Sequence, residues 1–183
     1  MSKGELEILK KLKAGDESGL RQLFDMYYTP LCIYALKYID SFETVEDIVQ
    51  EVFISFWETK KANEITSTIK SYLFTAVKNN ALNFLRKHNR YHHEALDEQF
   101  EMICEDYEDT EELEEKKKLL YQEIDKLSPQ AKVVFESIVF ANMKYKEVAE
   151  ELGVSVNTIK TTFSRALKRL RSSLDVIIMV MLP

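Results

Sequence analysis

Apolar residues recur along this chain at intervals of three and four, and the strict alternation that marks a half-buried strand is absent. In SFETVEDIVQEVFISFWETKK, residues 41–61, Val45, Ile48, Val49, Val52 and Phe56 gather on one side of a wheel turned about 100° per residue. Asp47, Gln50, Glu51, Ile54 and Glu58 gather opposite, so one apolar residue sits among acids. In TSTIKSYLFTAVKNNALNFLRKHNRY, residues 66–91, Leu73, Val77, Ala81 and Phe84 form the apolar side. Tyr72, Asn79, Asn83, Arg86 and Arg90 fall in a separate sector of roughly 60°.

The second half repeats the helical rhythm. EELEEKKKLLYQEIDKL, residues 111–127, places Leu113, Leu120, Ile124 and Leu127 together and pairs Glu112 with Lys116 and Glu114 with Lys118 four residues on. Ser128 followed by Pro129 predicts the start of the next helix, because serine caps free amide groups and proline tolerates the first helical position. YKEVAEELGVSVNTIKTTFSRALKRL, residues 145–170, reads as helix, turn, helix. Val148, Ala149 and Leu152 supply an apolar face, Gly153 the turn and Ser155 the cap. In the last helix Ile159, Phe163, Ala166 and Leu170 form the core side, flanked by Val156 and Leu167.

These patterns predict an all-α protein of two small helical domains joined by an acidic linker, with boundaries at 1–92, 93–112 and 113–183. Residues 94–115 are crowded with Asp and Glu, and their few apolar positions, such as Leu96, Phe100 and Ile103, do not make a packed element.

Charge sharpens the picture. The 183-residue chain carries a formal net charge of −6, yet residues 153–173 hold five Lys or Arg and no acid, and residues 66–91 hold no acid either. On the last helix of the turn motif, Asn157, Thr158, Lys160, Thr161, Ser164, Arg165, Lys168 and Arg171 offer donors for base edges and phosphates, where carboxylates would be repelled. The earlier strip of one aromatic, two amides and two guanidinium groups suits unpaired bases, which stack on rings and bond to amides while cations track the backbone. A polar outer face explains that strip equally well on the wheel alone.

Signatures of catalysis and cofactor binding are missing: with four glycines there is no phosphate-binding glycine loop, no nucleophile elbow and no H-E-x-x-H. Cys32 and Cys104 stand apart and read as reduced thiols, and His88, His92 and His93 lack partner ligands at metal spacing. No enzyme, metal or cofactor is expected. The terminus VIIMVMLP is far shorter than the roughly 20 apolar residues a membrane span needs, and the N-terminus lacks a secretory apolar core, so a cytoplasmic protein without membrane insertion is expected.

In order and spacing, VEDIVQEVFISFWE, SYLFTAVKNNALNFLRK and LSPQAKVVFESIVFANMKYKEVAEELGVSVNTIKTTFSRALKRLRSSL resemble regions two and four of the bacterial extracytoplasmic-function (ECF) RNA polymerase sigma factors. The resemblance implies a factor that binds core RNA polymerase and directs initiation at a promoter's minus-ten strand and minus-thirty-five duplex. It implies that Asp47, Gln50 and Glu51, supported by Phe53 and Ile54, dock on the β′ clamp, and that the second domain meets the β flap. Thr66, Ser67, Thr68 and Lys70 would match the loop that captures a flipped base. Tyr72, Asn79, Asn83, Arg86, Lys87 and Arg90 would line the adjacent strand. Asn83 stands where many members carry Asp, and the tail from Val176 to Leu182 has no counterpart. Members are commonly held by an anti-sigma factor. Two rivals remain: a free-standing helix-turn-helix repressor or activator, which needs two-fold symmetry on DNA, and a metal-dependent nuclease built on the acids of residues 105–115, with Asp106 and Asp109 required.

Overall fold

The computed structural model describes residues 3–65, 68–88 and 110–182, and every regular element among them is helical. The chain divides after Glu105 into two compact units. The predicted linker falls largely within 89–109, outside the described residues, and so does Cys104.

The first unit comprises α1 (Lys3–Lys13), α2 (Glu17–Ala35), α3 (Phe42–Glu58), a short helical turn (Lys61–Asn63) and α4 (Ile69–His88). Helix α2 runs through the middle, packed by α1, α3 and α4. Its entry is set by Asp16, whose carboxylate accepts the Ser18 amide at 2.9 Å. Gly19 lets α1 approach closely: a β-carbon there would come within 2.8 Å of Lys11 Cβ and 3.1 Å of the Leu12 backbone nitrogen. The Tyr27 hydroxyl donates to Glu5 at 2.7 Å and ties the same two helices together. Leu23, Leu31, Val45, Val49, Phe56, Ile69, Leu73 and Val77 fill the core.

The second unit comprises α5 (Thr110–Ile124), α6 (Pro129–Val139), α7 (Tyr145–Leu152), α8 (Val156–Arg169), a short turn (Arg171–Ser173) and α9 (Leu174–Met181). The Ser128 hydroxyl accepts the Ala131 amide and caps α6 with Pro129 at its start, as the residue pattern predicts. Helices α6, α7 and α8 pack on one another around Phe135, Val148, Ile159 and Phe163. The unexplained tail is α9: it lies on α5 and α6 and buries Leu174, Val176, Ile177 and Ile178. It adds these side chains to a core that also holds Leu120 and Ile124 of α5.

Gly153 closes α7 in the left-handed region, φ 64°, with open space around its α-carbon. Gly153→Ala therefore brings only the conformational penalty, about 1 kcal/mol. Thermal melting of the second unit is expected to fall by about 4–8 °C, and an unchanged midpoint would contradict the turn geometry.

Candidate nucleic-acid interface

Helix α8 is aimed by its start. The Ser155 hydroxyl accepts the Thr158 amide at 3.0 Å and meets the Thr158 hydroxyl at 2.8 Å, which satisfies an otherwise orphan donor. Thr158 thus spends its polar groups on the cap. Ile159, Phe163, Ala166, Leu167 and Leu170 are all buried, which rotates Asn157, Thr161, Arg165 and Lys168 into solvent, with Ser164 at the margin. Arg171, in the turn beyond the helix, is exposed as well. Val156 departs from the wheel: it is 38% exposed, because the first turn of α8 projects past the core. Lys160 is half-buried, its ammonium 6.0 Å from the ring centroid of Tyr145 on α7, a cation–π distance that holds its stem beside the motif's first helix.

On α3 the core side is as the spacing predicts, and Asp47, Gln50, Glu51 and Glu58 are exposed with Ile54 half in water. Phe53 is 3% exposed and lies 5.0 Å from Phe24 of α2, centroid to centroid, so it floors this surface. Sequence reasoning also passed over Glu46, the one buried charged residue among those described. Its carboxylate accepts the Tyr28 hydroxyl at 2.8 Å. Burial first, with Cys32 and Glu46 adding to it, pushes the Tyr28 phenol above its usual range, so the proton stays on and the bond keeps its donor. This part-buried pair ties α3 to α2, while Asp47, Gln50 and Glu51 on α3 stay exposed.

Helix α4 starts at Thr68, whose hydroxyl accepts the Ser71 amide at 3.1 Å and so serves as a cap. Lys70 and Tyr72 are half-exposed, with Tyr72 braced 5.5 Å from Phe56 of α3. Asn79, Asn83, Arg86 and Lys87 are exposed, and Arg86 Nη1 donates to Asn83 Oδ1 at 3.4 Å. Tyr72, Asn79, Asn83 and Arg86 thus share one side, opposite Leu73, Val77 and Ala81. Phe84 is half-buried, with His88 stacked on it at 4.0 Å. Thr66, Ser67 and Arg90 lie outside the described residues, as do His92, His93, Asp106 and Asp109.

Among the described residues, no cluster of three His, Cys, Asp or Glu can hold a metal, and no helix is long and apolar enough to cross a membrane. Comparison with known proteins follows the division of the chain. The Sigma-70 region 2 family matches residues 23–91, and the Sigma-70 region 4 family matches residues 117–170. RNA polymerase sigma factor SigV of Bacillus subtilis is 30% identical over 144 residues, covering 76% of this chain and 81% of its own. RNA polymerase sigma factor YlaC of the same organism is 25% identical, covering 85% and 92%. The ECF RNA polymerase sigma factor RpoE of Cereibacter sphaeroides is 23% identical, covering 87% and 88%. Helix α9 lies beyond the matched spans and α1 before them.

Proposed function

The chain belongs to the ECF RNA polymerase sigma factors, so it binds core polymerase and directs promoter-specific initiation, and on that premise we propose how its surfaces divide the work. The acid-lined side of α3 docks on the β′ clamp. Asp47, Gln50 and Glu51 give charge steering and register, Ile54 is the apolar anchor, and Phe53 supports it from beneath. Region two takes 1–92, the acidic tether 93–112 and region four 113–183, with the tether along basic polymerase surface and region four on the β flap. The work is done in the cytoplasm, where the polymerase meets the genome.

Helix α8 enters the minus-thirty-five major groove. Asn157, Lys160, Thr161 and Ser164 face base edges near its N-terminal half, while Arg165, Lys168 and Arg171 meet phosphate. Helix α4 carries the melted minus-ten strand along Tyr72, Asn79, Asn83, Arg86 and Lys87. Flipping a base costs a few kcal/mol of unstacking, so its capture by the 66–70 loop holds the strand open and couples recognition to initiation. The polymerase performs the phosphodiester chemistry. An anti-sigma factor would act by covering these same faces.

One observation carries the reading: in a chain of net charge −6, the second helix of the capped helix-turn-helix, α8, bears no carboxylate on its exposed side. Gel-shift titration of promoter duplex tests it, with weak binding by the protein alone and far tighter binding with core polymerase. Tight dimeric binding without polymerase would instead favour a free-standing regulator. Asp47→Lys with Glu51→Lys is expected to abolish co-purification with core polymerase while shifting stability by about 0.5 kcal/mol or less, both residues being exposed. Undiminished co-purification of the double variant would remove α3 as the docking helix.

A further inference from the structure

The two helices of the turn motif meet at a seam where one aromatic ring serves both. Tyr145 is the first residue of α7, whose start is set by the Glu147 carboxylate accepting the Lys144 amide at 2.7 Å. Its ring lies 5.9 Å from that of Phe163 on α8, centroid to centroid, and Phe163 is fully buried. Phe163 and Lys160 are three residues apart on α8 and so are neighbours along one side of that helix. The Tyr145 ring therefore rests on the core through Phe163 and meets the Lys160 ammonium at 6.0 Å.

Lys160 differs in this from the other donors of α8. Asn157, Thr161, Arg165 and Lys168 are exposed, while Lys160 is half-buried. A lysine carries a compact charge on a flexible four-carbon stem, and a contact with DNA must overcome the freedom that the stem loses. A ring that holds the stem in the free protein removes much of that cost beforehand. An ammonium held in one place is also the more selective reader. It rewards a base pair that presents acceptors there, whereas a freely swinging one finds a phosphate beside any sequence.

We infer that Tyr145 is a positioning residue for promoter specificity: its ring fixes Lys160 against the major-groove edge of one base pair of the minus-thirty-five duplex, a pair whose edge presents acceptors at that point. The inference rests on the reading of α8 as the duplex-reading helix, and the experiment separates the two.

Holoenzyme reconstituted from core polymerase and the full-length protein first selects a minus-thirty-five sequence from a randomised duplex library. The selected duplex and each of its single-base-pair substitutions are then the probes, and discrimination is the ratio of their affinities. Lys160→Ala is expected to lower discrimination at one base pair about fivefold or more. Tyr145→Leu is expected to lower it at the same base pair about two- to fivefold, to leave the other positions unchanged, and to add nothing at that pair once Lys160→Ala is present. Tyr145→Phe, which keeps the ring, is expected to retain it. Phenylalanines of increasing fluorination at position 145 keep the shape and weaken the ring's attraction for a cation, so they are expected to lose discrimination stepwise, which a purely structural role would not produce. This series also decides the matter if Tyr145→Leu fails to fold. Discrimination that Lys160→Ala lowers but fluorination leaves intact overturns the role of Tyr145 and keeps α8 as the reading helix. Discrimination unchanged at every base pair by Lys160→Ala overturns both the role of Tyr145 and the placing of Lys160 at a base edge.

Discussion

Arg165→Glu combined with Lys168→Glu is expected to cut promoter-directed run-off transcription more than about a hundredfold, as two phosphate contacts become two repulsions. The cause is local. Both residues stand on the exposed side of α8, whose rotation is fixed by Ile159, Phe163 and Ala166 in the core and by the Ser155 cap at its start. Neither side chain contributes to packing, so the melting midpoint of the second unit should move by no more than about 0.5 kcal/mol equivalent. Association with core polymerase, assigned to α3 in the other unit, should persist. The salt dependence is a second check: with two phosphate contacts gone, the slope of log affinity against log salt should become shallower by about two units. Transcription at wild-type level with an unchanged salt slope would show that α8 does not face DNA.

Ile177→Asp is expected to unfold the second unit. Ile177 is fully buried in α9, where the helix meets α5 and α6. The substitution removes about 1.5–3 kcal/mol of apolar burial and places a carboxylate where it must lose its water or hold a proton, a further cost of several kcal/mol. The sum approaches the whole stability of a small domain, about 5–15 kcal/mol. Amide exchange should then show protection lost throughout α5 to α9, including α8 and with it minus-thirty-five recognition. The amides of α1 to α4 should keep theirs, since their core is separate. Ser172→Asp, at an exposed position close by, is the control and should change little. Retained protection in α5 would mean that α9 is a passenger on that face.

Both experiments turn on the same division of information. The helix caps were legible residue by residue: Ser128 before Pro129, Ser155, and Gly153 as the turn all act on backbone groups within a few positions of themselves. The rotation of α8 was legible too, since its core residues repeat at a period the chain itself displays. So was the outward placement of Asp47, Gln50 and Glu51 on α3, and of Asn79, Asn83 and Arg86 on α4.

Periodicity assigns a side to a residue without saying which neighbour covers that side. Phe53 fell outside the core positions assigned to α3 and is buried because Phe24 arrives from α2. Glu46 belongs by type with the exposed acids and is buried because Tyr28 donates to it across the same interface. The tail from Val176 onward was apolar without a reason until α5 and α6 supplied the surface it covers. A cleft of the first unit is lined by residues 12–15 and residues 56–63 together, so no single window of sequence contains it. By itself the sequence determined where helices begin, how they turn and which charges they carry, because those depend on contacts within a turn or two. Only the tertiary structure decided which apolar faces meet and what lies between them, because burial depends on residues far apart in the chain.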